Sequence, residues 1–157
     1  MRTLTLFLPC LAVLLCGCAP ETKPAAAVAP VKKAAKPADD THRFPATNQV
    51  GSKVVDDHVL GHDFLPGGNI AQYKLGKQEY SLILIKTKSP MDAAVLLLDF
   101  KKQLASPKVI AHFGGYFGKD GDKPAFLFAK NEWLCGVIGL PLADADARAR
   151  EFASRLN

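Results

Sequence analysis

The stretch Tyr80-Ser81-Leu82-Ile83-Leu84-Ile85-Lys86-Thr87-Lys88-Ser89-Pro90-Met91-Asp92-Ala93-Ala94 decides how the folded part of the chain is read. Successive side chains of a strand point to opposite faces, so the unbroken apolar run Leu82-Ile83-Leu84-Ile85 predicts a strand over Tyr80 to Thr87 that is buried on both sides and central in its sheet. At Ser89-Pro90 the pattern changes. Serine before a helix can accept a hydrogen bond from a free backbone N–H, proline suits the first helical position, and Asp92 suits the first turn. Ala93, Leu97, Phe100 and Leu104 then recur at the i, i+4, i+7, i+11 spacing of a helix with one buried stripe. Lys101 and Lys102 favour its C-terminal end, and Ser106-Pro107 stops it.

Outward from this unit, Leu65-Pro66-Gly67-Gly68-Asn69 reads as a turn cluster, with a strand near Ile70 to Leu75 and a tight connection at Gly76-Lys77. On the other side, Lys108 to Phe113 reads as a further strand, followed by the glycine-rich run Gly114 to Gly118 and a turn at Lys119-Asp120-Gly121-Asp122. Strands near Ala125 to Ala129 and Trp133 to Leu140 flank a turn at Lys130-Asn131. A last helix, from about Ala143 to Leu156, carries Ala145, Ala149, Phe152 and Leu156 at the same spacing as the first. Leu75 to Tyr80 also aligns with Phe128 to Trp133 at an offset of 53, matching lysine, glutamate and aromatic in order. The expectation is an α+β domain, an antiparallel sheet with both helices on one face, built from two ββα pseudo-repeats. Val54, Val55, Val59, Leu60, Phe64 and Leu65 pin the region before Pro66 to the core without fixing its type.

The whole-chain composition misleads until its ends are separated. The 157 residues are 48% hydrophobic and carry a formal charge of +5, with four cysteines. Arg2 is followed by the uncharged, leucine-rich Thr3 to Leu15, shorter than the roughly 20 residues a membrane-spanning helix needs. A basic residue, a short apolar core and a small-residue exit form a secretory signal peptide. Its end, Leu15-Cys16-Gly17-Cys18, resembles the processing site of bacterial lipoproteins. Residues 1–17 are then the signal, and the resemblance implies cleavage before Cys18, a diacylglycerol on its thiol, acylation of its new amino group, and membrane attachment through that lipid. Ala19 after the cysteine implies, for a Gram-negative source, the outer membrane.

With Cys10 and Cys16 in the signal and Cys18 lipidated, Cys135 is left without an intramolecular partner, and the exported domain must be stable without a disulfide. Residues 19–41 are rich in Ala, Pro and Lys, with Val28 and Val31 the only larger aliphatics. They read with Cys18 as a solvated linker over 18–41, leaving one domain over 42–157. That domain has fifteen basic and twelve acidic side chains. Its net +3 gives no reason to expect nucleic acid.

Chemistry-bearing patterns are few. There is no G-x-S-x-G nucleophile elbow, and no cofactor motif. Gly114 to Lys119 falls one residue short of a phosphate loop, with Asp120 where a Ser or Thr would hold magnesium. Cys135, in a strand beside Trp133 and Val137, lacks the helix N-terminus or cation that activates a thiol. His58 and His62, four apart, would share one face of a helix as zinc ligands do, with Asp57 or Asp63 as a third donor; Gly61 between them weakens that helix. Phe113, Tyr116 and Phe117 form a ligand or partner contact if their segment is an exposed loop, and core if it is a strand.

The expectation is therefore a non-catalytic, membrane-anchored module binding an envelope protein or ligand. The alternatives are a metal-binding protein or metal-dependent enzyme using His58 and His62, and a peptidoglycan-tethering spacer acting through the lysine-rich linker. The turn at residues 65–69, Lys88 to Ala94, and Gly136-Val137-Ile138-Gly139-Leu140 before an alanine-rich helix resemble an exported bacterial family of unknown function, which lends no catalytic residues.

Overall fold

The fold was described from a computed structural model, covering residues 36–156; the signal segment, Cys18 and the linker through residue 35 lie outside the described residues. Seven strands form one antiparallel sheet: β1 (Gln49–Asp57), β2 (Pro66–Leu75), β3 (Gln78–Lys86), β4 (Ala105–Ile110), β5 (Gly115–Asp120), β6 (Lys123–Lys130) and β7 (Trp133–Ile138). Their spatial order is β1-β2-β3-β7-β6-β5-β4, with β1 and β4 at the edges. Helix α1 (Pro90–Gln103) joins β3 to the far edge strand β4, and α2 (Leu142–Ala153) follows β7. The α+β class and the antiparallel sheet with two helices stand as read from sequence.

The run Leu82 to Ile85 is buried on both faces, next to β7, where every residue is buried. Ser89 caps α1: its Oγ accepts the Asp92 N–H at 3.1 Å and donates to Asp92 Oδ2 at 2.8 Å. The β2–β3, β5–β6 and β6–β7 hairpins each turn through two residues, with positive φ at Gly76, Gly121 and Asn131.

The helices lie on opposite faces of the sheet, not on one. Leu97 and Phe100 of α1 pack with Ile83, Ile85, Leu127 and Leu134, whereas Ala149 and Phe152 of α2 pack with the alternate residues Leu82, Leu84, Phe126 and Cys135. Both helices lie over β6 and β7. The reason is in the strands: β3, β6 and β7 are apolar at consecutive positions, so burying them takes a layer on each side.

The strand order does place β1-β2-β3 and β7-β6-β5 symmetrically about the β3–β7 seam. Two observations separate these halves from the sequence repeat. A two-fold at the antiparallel β3–β7 seam runs perpendicular to the sheet and would keep both helices on one face, whereas α1 and α2 lie on opposite faces. The hairpins also match at an offset of 55, since Leu75 pairs with Gln78 and Lys130 with Trp133. Lys77 is thus a loop residue while Lys130 ends a strand, so the matched lysines and glutamates are not equivalent in space.

Three other segments differ from expectation. Pro66-Gly67-Gly68-Asn69 opens β2 rather than forming a turn. Glycine is needed there for close approach: a Cβ on Gly67 would collide with the Asp56 carbonyl oxygen, and one on Gly68 would lie 2.8 Å from that of Leu84. The glycine-rich run after residue 114 is mostly strand β5.

The folded unit also begins inside the expected linker. The Asp40 N–H donates to Asn69 Oδ1 at 3.2 Å, and Asn69 Nδ2 donates to the Ala38 carbonyl at 3.1 Å. Next to it, the Tyr73 hydroxyl donates to the Pro45 carbonyl at 2.7 Å, and Phe44 stacks on Phe152 at 5.4 Å.

Candidate functional site

The two histidines do not form a shared ligand face. A 3-10 turn at Val59–Gly61, with Leu60 at φ 59°, bends the chain where a helix would have aligned them. His58, itself left-handed at φ 51°, is half-exposed with Nδ1 3.4 Å from Asp57 Oδ1. His62 Nε2 lies 3.0 Å from Asp120 Oδ2, its ring edge-on to Phe100 at 5.1 Å and near Phe64 at 5.3 Å. Asp63 is exposed. Among the described residues no three His, Cys, Asp or Glu side chains gather as a metal-binding group.

The three aromatics are divided between the two faces. Phe113, in the turn after β4, packs against Phe126 and Phe128 at 5.2 and 4.8 Å, and Phe117 joins the same cluster on the α2 side. Tyr116 points to the α1 side, with the Lys101 ammonium 4.7 Å from its ring centre. Beside Phe113, His112 Nε2 is 2.5 Å from Asp146 Oδ1 and Arg150 Nε donates to Asp146 Oδ2 at 2.9 Å, tying the turn to α2. Burial opposes ionisation of Asp146, but the hydrogen bonds from Arg150 and His112, and their charges, outweigh it and hold its carboxyl below the usual value. Cys135 is fully buried, and burial pushes its thiol well above the ordinary range, which removes the thiolate a nucleophile requires.

Two surface features remain. One is a polar cleft of about 580 Å³ at the end of the β2–β3 hairpin, with Gln72, Lys74, Glu79, Ser81 and Lys123 among its walls. Lys74 Nζ and Glu79 Oε1 are 3.7 Å apart there, an exposed pair of small energetic weight.

The other feature is the outer side of α1. Met91, Val95 and Leu98, at i, i+4 and i+7, are 72%, 50% and 47% exposed on the side opposite the buried Ala93, Leu97 and Phe100. Val95, Leu98, Leu104 and Pro107 continue into a groove of about 550 Å³ rimmed by Lys101 and Lys102. Val109 of β4, 67% exposed, faces the same side through its pairing with Tyr116. Four of the six exposed large hydrophobic residues among those described therefore lie on the α1 side, which makes this a patch rather than scatter. Sequence reasoning identified only the buried stripe. The signal for the second was present, since Met91 to Leu98 is apolar round most of the helix, and such a helix is ordinarily covered on all sides.

Comparison of the chain with protein-family models, curated proteins and solved structures finds no match.

Proposed function

We propose that this chain is a membrane-anchored lipoprotein of the bacterial outer membrane whose α+β domain is a non-catalytic docking module. The observation that carries the docking role is α1: a helix apolar on two opposite sides, one filling the core and the other open to solvent. The anchoring role is supported by the short apolar leader and the Leu15-Cys16-Gly17-Cys18 site. Nothing in the described domain favours catalysis: burial keeps the Cys135 thiol protonated and enclosed, and His58, His62 and His112 each meet a carboxylate.

Metabolic labelling with an alkyne fatty acid tests the anchor. The wild-type chain is expected to take label and fractionate with membranes, and Cys18→Ser to lose both. Equal labelling and fractionation of the two chains would reject the reading.

A further inference from the structure

We propose that the outer face of α1 is a bilayer-contact surface, Met91, Val95 and Leu98 entering the headgroup–acyl boundary while Lys88 and Lys102 meet lipid phosphates. The inference rests on the membrane-anchored reading above and names the partner of the docking face.

Three observations select a lipid surface. The first is the chemistry of the patch: an exposed apolar line with lysines at its ends matches a surface where acyl chains lie just beneath phosphates. Lys102 pairs with Asp99 at 2.7 Å in an exposed contact weak enough to exchange for a lipid phosphate, whereas Lys101 turns toward the Tyr116 ring. The second is where the rest of the chain joins. Pro37 and Ala38 line the same depression as Lys88 and Asp92, so the segment leading back to Cys18 meets the domain at the α1 end that carries Met91. Seventeen residues separate Cys18 from Lys36, a reach of at most about 60 Å when fully extended. Three exposed side chains make a weak site for a free domain, but a short tether supplies an effective concentration in the millimolar range.

The third observation concerns the neighbouring edge. Strand β4 carries Pro107, a register shift between Ala105 and Lys108, and Lys108 itself. Proline, a bulge and lysine on an edge strand are devices that block strand addition, so a second copy cannot extend the sheet across this side.

The test uses the full chain reconstituted into phosphatidylethanolamine–phosphatidylglycerol vesicles, with brominated acyl chains as contact quenchers. The native Trp133 is buried and gives a constant background. Leu98→Trp is expected to add emission that shifts to the blue and loses at least half its intensity in brominated vesicles. Ala147→Trp, on exposed α2 across the sheet, is expected to stay unquenched. Adding Met91→Gln and Val95→Gln to Leu98→Trp should restore the emission several-fold while the chain still floats with the vesicles.

Flotation with equal, weak quenching at residues 98 and 147 would overturn the inference and leave the anchor standing. Failure to float would overturn both. Concentration-dependent shielding of Leu98→Trp without lipid, accompanied by self-association in sedimentation, would assign the face to a second copy and overturn the bilayer contact.

Discussion

Leu97 and Leu98 are consecutive residues of one helix, and replacing each with alanine separates the two roles of α1. The change in intrinsic helix propensity is the same at both positions, so it cancels in the comparison. Leu97 is 5% exposed beneath the helix and Leu98 is 47% exposed above it. Leu97→Ala removes buried carbons and leaves a cavity in a filled layer, an expected loss of about 3 kcal/mol within the usual 2–5. Leu98→Ala gives up roughly half the transfer energy of the same atoms, and solvent fills the space, so the expected loss is about 1 kcal/mol. The variants should therefore differ by about 2 kcal/mol. With a urea slope of about 1.5 kcal/mol/M, their unfolding midpoints should lie more than about 1 M apart. Trp133, buried in β7, reports unfolding by its fluorescence. Midpoints that coincide, or a larger loss at Leu98, would refute the placement of α1 and remove the free face on which docking depends.

Other consequences follow from the core and from one ion cluster. A Cβ on Gly136 would lie 2.8 Å from Ile83 Cγ1 and 2.9 Å from Leu127 Cδ2, both in fully buried side chains, so Gly136→Ala should cost about 1–2 kcal/mol in chemical denaturation. Gly51→Ala, where a Cβ meets nothing within 4 Å, should be neutral or raise stability by up to about 1 kcal/mol; a loss equal to that of Gly136→Ala would discredit the packing argument. Cys135 should resist an aromatic disulfide reagent at pH 8 in the folded protein and react completely in urea, and labelling of the folded state within minutes would contradict its burial. Asp146 has a depressed carboxyl pKa in the folded state, so its contribution is full above the unfolded value near ~4 and is lost as pH falls through the lower folded one. Asp146→Asn should flatten the stability profile below about pH 4 and change its slope little above pH 6; an unchanged acid limb would show that the Arg150 and His112 contacts carry no weight.

The legible parts of this fold were those with an apolar period. Leu82 to Ile85 placed β3 at the centre, Ser89-Pro90 set the start of α1, and both buried helix stripes fell on the residues that the spacing selects. The edges were harder. Most of β1 is exposed, so it shows no alternation; β4 carries Pro107 inside its register shift, and β5 contains Gly115 and Gly118, residues that signal loops although their backbones pair. Long-range bonding also hid the domain start, because Asp40 reads as a linker residue until Asn69, twenty-nine positions later, receives its N–H.

The placement of the helices was derivable from the same residues that placed the strands. A strand apolar at consecutive positions has two faces to bury, and one helix layer covers one, so Leu82 to Ile85 and Trp133 to Ile138 together demand cover from both sides. Applied to α1, that logic leads to the proposed docking role. Phe100 and Leu97 fill the inner face, and Met91, Val95 and Leu98 leave an outer face of the same chemistry uncovered. The polar cleft near Lys74 and Glu79 carries no comparable unmet demand, because these two groups are exposed to solvent and paired with each other. Of the surfaces this domain offers, the α1 face is the one whose exposure carries a free-energy cost that a partner would relieve.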